Sequence, residues 1–321
     1  MRLFVTGGAG FIGSNYVRQV LSSSDDHVTV FDALTYAGNE ATLADVRDDA
    51  RFSFVKGDIR DRDAVAAAMD GHDVIVHFAA ESHVDRSIVD PDAFVSTNCG
   101  GTNVLCDTAR RIGVERFVHV STDEVYGSRV EGSFTETDIL EPSSPYSASK
   151  AGSDLIALAY GTTYDLPVVV TRSSNNYGPF QFPEKVIPLF ITNLLDGKKV
   201  PLYGDGQNVR DWLYVEENCS GIDAVVRNGV SGEVYNLGGR HELTNRELTT
   251  KLLELCGRDE SYIEWVPDRL GHDRRYSITN DKLRALGWEP MIDPDEGLAR
   301  TVAWYRDHRD WWEPLATSAT Q

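Results

Sequence analysis

Leu3-Phe4-Val5-Thr6-Gly7-Gly8-Ala9-Gly10-Phe11-Ile12-Gly13 joins a short apolar run directly to a glycine-rich turn. The run has the length of a buried parallel strand, and the stretch from Ser14 to Leu21 carries helical periodicity. A glycine triplet alone is weak evidence. Between a strand and a helix, it is what a backbone needs to approach a pyrophosphate over a helix N-terminus. The next apolar run, Val28-Thr29-Val30-Phe31, ends at Asp32, about 20 residues beyond the glycines, where a carboxylate can bind adenosine ribose hydroxyls. No Arg or Lys lies between Asp32 and Asn39 to receive a 2'-phosphate, which favours NAD over NADP. Glycines that serve packing alone would leave the position of Asp32 a coincidence.

The alternation continues outward. Phe52-Ser53-Phe54-Val55 leads to Gly57-Asp58-Ile59-Arg60-Asp61, and a helical segment runs from Asp63 to Met69. Val74-Ile75-Val76-His77-Phe78 is another buried strand, followed by Ala79-Ala80-Glu81-Ser82-His83. A long helix is expected from Pro91 to Ile112, with Pro in its first turn and Gly113 at its exit. Repeated strand-helix units predict an α/β fold: a doubly wound parallel Rossmann sheet with a smaller mixed α/β substrate-binding domain. Residues 1–172 form the expected cofactor domain, with a return of about 213–240 through Val234-Tyr235-Asn236-Leu237-Gly238, while 173–314 form the second domain and 315–321 a tail. In such a sheet ligands sit beyond the carboxyl ends of strands, where Asp58, Ala79, Ala80 and Thr122 fall. Asp58 reads equally well as a helix N-cap.

The stretch from His119 to Lys150 carries acid and base equipment. Tyr146 and Lys150 share one face of a helix starting near Pro145, where an ammonium can depress a phenol's pKa and make it a base. Phe117-Val118-His119-Val120 reads as a buried strand ending at Ser121. Neighbours in a strand point to opposite faces, so Asp123 and Glu124 share a site only if the chain leaves the strand there, a departure that Gly127 permits. The bland alternative is a solvated Asp-Glu pair in a loop and a Tyr/Lys pair on an exposed helix.

Composition narrows the function classes. With a formal charge of −19 the chain is a poor partner for nucleic acid or an anionic membrane, and local cations must hold any anionic substrate. The four cysteines show no metal-ligand spacing and read as reduced thiols of a cytoplasmic protein, and no metal site is expected. No stretch approaches the ~18 apolar residues of a membrane span.

These motifs together resemble the extended short-chain dehydrogenase/reductases. Asp32-Ala33-Leu34-Thr35-Tyr36-Ala37-Gly38-Asn39, Ala80-Glu81-Ser82-His83-Val84-Asp85-Arg86-Ser87, Thr122-Asp123-Glu124, Ser174-Asn175-Asn176-Tyr177-Gly178 and Arg210-Asp211-Trp212 are closer still to the nucleoside-diphosphate-glucose 4,6-dehydratases, with dTDP-glucose the implied substrate. The resemblance runs from Leu3 to about Pro314. Epimerases of the superfamily lack both carboxylates after the strand. The chain departs from the common pattern at Arg172, Ser173 and Leu270, which bears on substrate preference more than on the chemistry.

The resemblance implies NAD held by Gly7, Gly10, Phe11, Ile12, Gly13, Asp32, Leu34, Thr35, Asp58, Ile59, Ala79, Ala80, Tyr146, Lys150 and Asn176. It implies a sugar nucleotide held by Ser82, His83, Thr122, Asn175, Lys185, Val186, Pro201, Tyr203, Arg210, Asn245, Arg269 and His272. The implied catalytic set is Thr122, Asp123, Glu124, Tyr146 and Lys150. Tyr146 would take the 4-hydroxyl proton, Glu124 the C5 proton, and a protonated Asp123 would donate to the departing 6-hydroxyl. A homodimer through the helices at 91–112 and 146–164 is also implied. The alternatives are a sugar-nucleotide 4-epimerase, a UDP-glucuronate decarboxylase and, from another class, a non-catalytic dinucleotide sensor. Aromatic residues of a closing helix near Asp295 to Trp312 read as packing.

Overall fold

The computed structural model describes the backbone of residues 1–268 and 273–319, and side chains as far as Ala316. Strands β1 (Arg2–Thr6), β2 (His27–Asp32), β3 (Phe52–Lys56), β4 (Val74–His77), β5 (Arg116–Thr122) and β6 (Val168–Ser173) fill the first half. Strands β7 (Asn175–Tyr177), β8 (Val200–Tyr203), β9 (Val209–Tyr214), β10 (Val234–Leu237), β11 (Glu242–Thr244) and β12 (Ile263–Val266) follow. Among the described residues seven of them form one sheet in the order β10-β6-β5-β4-β1-β2-β3. Every neighbouring pair in it is parallel.

The sheet is buried on both faces, which is why its strands read as unbroken apolar runs. Leu3 and Val5 pack on one face with Val17 and Val20 of helix Phe11–Ser23 and Ile222 of helix Val215–Asn228. Phe4, between them in sequence, packs on the other face with Met69, Leu105 and Ala157 of helices Arg62–Met69, Thr102–Ile112 and Pro145–Tyr164. Each such side chain contributes roughly 1.5–3 kcal/mol over its exposed state. β10 lies beside β6 in the same sheet, with Val234 opposite Val170.

The second region holds a mixed sheet, with β9 parallel to β7 and antiparallel to β11, and a parallel pair β8-β12. Its core gathers Tyr177, Phe190, Trp212, Leu252, Tyr305 and Trp312. Trp312 is thus a packing residue, as expected.

Three expectations change. The helix at 91–112 is not uniform: Pro91–Phe94 passes into a π-helical segment, Val95–Gly101, before Thr102–Ile112, which ends at Gly113 with φ +80°. The wide turn aims Asn98 inward, where it donates to Glu81 O and Ser149 Oγ at 3.0 and 2.8 Å, the kind of local widening often found at functional sites. The closing helix is two helices, Pro294–Asp307 and Arg309–Ala319, broken at His308. The second carries helix into the stretch expected as a tail.

Candidate active site

The turn after β1 and the carboxyl ends of β2, β4 and β5 open onto one cavity. Gly7, Gly10, Phe11, Ile12 and Gly13 form one wall. Gly7 has φ +72°, and a Cβ there would lie 2.5 Å from Ala79 N, so only glycine lets the turn pass beneath the β4 end. Ala79 and Ala80 continue that wall, and Asp32, Thr35, Asp58 and Ile59 also line the cavity. Asp32 accepts from Ala9 N and Leu34 N at 2.9 and 2.8 Å, and burial raises its carboxyl pKa.

Leu34 stands apart from its expectation. It is absent from the described wall, and its N–H, in a left-handed turn at φ +54°, orients Asp32 instead. The N-cap reading of Asp58 is also corrected: Asp61 caps helix Arg62–Met69, while Asp58 pairs with Arg60 at 2.6 Å. Arg60 also lines the cavity, from beyond β3, where the absence of cations between Asp32 and Asn39 carries no information. With its guanidinium engaged by Asp58, it is not a spare cation for a 2'-phosphate.

The Gly7 clearance and the buried Ser121 Oγ in the same wall, which has no hydrogen-bond partner among the described residues, fit a dinucleotide that brings polar atoms of its own. In the sequence Ser121 reads only as a strand end. Gln181, Phe182 and Glu184 also line the cavity from beyond β7, signalled only by the Gly178-Pro179 turn before them. Glu184 accepts from Arg86 at 3.3 Å, and the Arg86 guanidinium lies 3.8 Å from the Tyr36 ring centroid.

Asp123 begins a 3-10 turn, Asp123–Tyr126, immediately after β5, with Thr122 Oγ1 as cap accepting from Glu124 N at 3.3 Å. The chain therefore leaves the strand upstream of Gly127. That glycine, at φ +80°, ends the turn where a Cβ would collide with the Glu141 carbonyl. Asp123 is 2 % exposed, and its Oδ2 has no hydrogen-bond partner among the described residues. Burial first, then the charges of Glu124 and Asp211, raise its pKa well above the carboxylate range, against a smaller pull from Arg210. A pKa raised in this way favours the protonated carboxyl, the form that has a proton to give.

Tyr146 and Lys150 line the same cavity from helix Pro145–Tyr164, whose start Ser144 and Ser147 fix with a reciprocal cap. The expected depression of the phenol's pKa is absent in this state. Burial raises Tyr146 well above its ordinary value, with Glu124 adding to it and a hydrogen bond with Thr122 opposing. The Lys150 ammonium donates to Val120 O at 2.8 Å, and burial lowers its pKa to about 8.

Of the expected substrate ligands, Ser82 and Lys185 line the cavity, with Lys185 Nζ donating to Ser82 O at 2.8 Å. His83 caps helix Val84–Val89 and lies 3.7 Å from Glu184. Asn175 and Asn176 sit on β7, each with a buried Oδ1 that lacks a partner among the described residues. Asn176 is outside the described wall, as are Pro201 and Tyr203 on β8, Val186 and Asn245 at their helix starts, and Arg210. Arg210 is buried against Tyr276, 4.2 Å from the ring centroid, and close enough to Asp123 to act on its proton. Arg269, Leu270 and His272 lie outside the described residues. Arg172 and Ser173 are absent from the described wall: Arg172 pairs with Asp154 and Ser173 with Asn218.

A family model described as GDP-mannose 4,6 dehydratase matches residues 4–301. The chain belongs to that family. The match covers both regions of this GDP-mannose 4,6 dehydratase family member, so the cavity and the second core are parts of one family architecture. The chain is 56% identical to dTDP-glucose 4,6-dehydratase of Streptomyces griseus over 99% of its own length and 98% of that protein. It is 55% identical to the dTDP-glucose 4,6-dehydratase of an Actinoplanes species over 97% and 100% of the two chains. Among solved structures, DesIV (dTDP-glucose 4,6-dehydratase) from Streptomyces venezuelae with NAD and TYD bound superposes with a TM-score of 0.97 at 58% identity, covering 98% of this chain and all of the other.

Proposed function

We propose that this chain holds NAD in the cavity and dehydrates dTDP-glucose to the 4-keto-6-deoxy sugar nucleotide. The observation that carries the reading is Asp123, a buried carboxyl beside Glu124 whose pKa is raised by burial and by that neighbour, one cap residue from Tyr146. Elimination of water from a hexose needs an acid at the departing oxygen and a base at the neighbouring carbon. NAD, when bound, supplies a hydride acceptor that is restored within the turnover. The glycines, Asp32, Asp58 and Ser121 hold it. Tyr146 takes the 4-hydroxyl proton while Thr122 donates to or accepts from the same oxygen, and Lys150 sets the phenol's charge. The resulting ketone acidifies C5–H. Glu124 takes that proton and Asp123 gives its own to the 6-hydroxyl, which leaves as water. Lys185, Arg210, Asn175, Arg269 and His272 take the diphosphate in this reading, and Tyr203 and Pro201 take the base.

Residues 1–172 with the return at 213–240 form the cofactor domain in this reading, and 173–314 the sugar-nucleotide domain. Val95 and Leu155 are exposed apolar side chains on the helical segments packed together beside the cavity, which suits a homodimer through that face. The four thiols are free, as a cytoplasmic compartment would keep them. Among the described residues no helix is long and apolar enough to cross a membrane. A 4-epimerase, a decarboxylase or a dinucleotide sensor needs no acid at C6. Incubating the pure protein with dTDP-glucose, without added NAD, decides among them: accumulation of a 4-keto-6-deoxy product supports dehydration. Unchanged substrate, or conversion to the 4-epimer, rejects it.

A further inference from the structure

Arg172 lies near the carboxyl end of β6, 3 % exposed, and its guanidinium touches two catalytic elements at once. Nε donates to Asp154 Oδ2 at 2.9 Å, one helical turn beyond Lys150. Nη1 donates to Tyr126 Oη at 2.8 Å, at the far end of the turn that starts with Asp123 and Glu124. Tyr126 Oη in turn donates a hydrogen bond to Asn236 Oδ1 on β10 at 2.8 Å, and its ring stacks on Phe134 with centroids 5.1 Å apart. Asp154 is fully buried, and its other neighbour, His119 at 3.2 Å, has a pKa lowered by burial to about 4. A neutral imidazole leaves the guanidinium as the charge in direct contact with the Asp154 carboxylate.

A single 3-10 turn has poor internal hydrogen bonding and needs anchors at both ends. Thr122 supplies the first. We propose that Arg172 and Tyr126 are positioning residues that supply the second, tying the turn bearing Asp123 and Glu124 to the helix bearing Tyr146 and Lys150. The oxidising and eliminating groups then keep one relative placement while a sugar ring is worked on at C4, C5 and C6 in succession. This rests on the dehydration proposed above. A planar guanidinium with fixed N–H directions can hold two elements in register, whereas a lysine ammonium in its place reaches one of them.

Tyr126→Phe is the decisive variant, because it removes one hydroxyl and leaves the buried Arg172–Asp154 charges balanced. Holoenzyme is assayed with dTDP-glucose, following kcat, KM, reduced-nicotinamide absorbance during turnover, and hydrogen exchange of the amides at 122–127. Displacement of groups by about an ångström costs up to about a hundredfold in rate, so kcat should fall at least tenfold with KM within about twofold. Reduced-nicotinamide absorbance should rise as elimination lags, and exchange should quicken in the turn while helix 145–164 keeps its protection. Arg172→Lys, whose ammonium reaches only one of the two elements, should quicken exchange in the other. Wild-type kcat with unaltered exchange in Tyr126→Phe overturns the proposal, as does a fall in kcat with exchange quickened evenly across the sheet, the mark of general destabilisation. A wild-type protein that forms no 4-keto-6-deoxy product rejects the proposed function itself, and the exchange pattern then still accepts or rejects the tether.

Discussion

In the proposed reaction Asp123, Glu124 and Tyr146 act on different bonds, so conservative substitutions should stop the cycle at different stages. Asp123→Asn and Glu124→Gln should still reduce the cofactor on mixing with dTDP-glucose, while dehydrated product forms at least a hundredfold more slowly, as loss of an acid or base commonly costs. Tyr146→Phe should show neither signal. Stopped-flow absorbance with product analysis checks all three. Asp123 also makes a stability prediction. Its pKa is raised in the fold, so between the unfolded carboxyl value of about 4 and the raised folded value the native state holds the extra proton. Stability is therefore lost as pH rises through that window, and Asp123→Asn, which cannot ionise, escapes the loss. The variant should match the wild type near pH 4 and exceed it at pH 7, by about 2–4 °C in Tm for each kcal/mol recovered. Thermal melts across pH 4 to 8 test this, and a variant less stable at pH 7 contradicts it. Arg210→Ala should weaken sugar-nucleotide binding by about 2 kcal/mol and leave NAD binding alone, since the guanidinium stands by Asp123 and outside the described cofactor wall. Equal loss of both ligands in calorimetry contradicts that role.

At the scale of elements, the strand-turn-helix at the N-terminus and the turn after β5 solve the same problem differently. The first needs glycine, because Gly7 runs 2.5 Å from Ala79 N as a Cβ would measure it and holds φ +72°. Gly7→Ala should cost about 1–2 kcal/mol for the left-handed backbone alone and should abolish NAD retention through gel filtration. A variant that keeps its NAD would mean the turn does not pass under the cofactor. The second solution uses a cap: Thr122 allows Asp123 and Glu124 into one site by ending the strand. The glycines and Asp32 were legible because a local backbone requirement marks the local sequence. The π segment was less so. Gly100-Gly101 hinted at it, but only the position of Glu81 and Ser149 explains why Asn98 must turn inward.

For the whole molecule, the exposed apolar Leu155 and Val95, 59% and 56% accessible, lie on the face proposed for a homodimer. Leu155→Asp would put a charge in that interface and should convert a dimeric wild type to monomer in sedimentation, whereas unchanged association moves the interface elsewhere. Strand periodicity, the glycine turn and the Tyr146–Lys150 spacing specified the doubly wound sheet and much of its cavity wall from sequence, because parallel strands buried on both faces must be written as unbroken apolar runs. Charge states and side-chain partners were decided by the tertiary structure alone. The raised pKa values of Asp123 and Tyr146, the Asp58–Arg60 pair and the buried Arg172–Asp154–Tyr126 link depend on desolvation and on residues distant in sequence. Neither burial nor such proximity has a local spelling, so both exist only once the chain has folded.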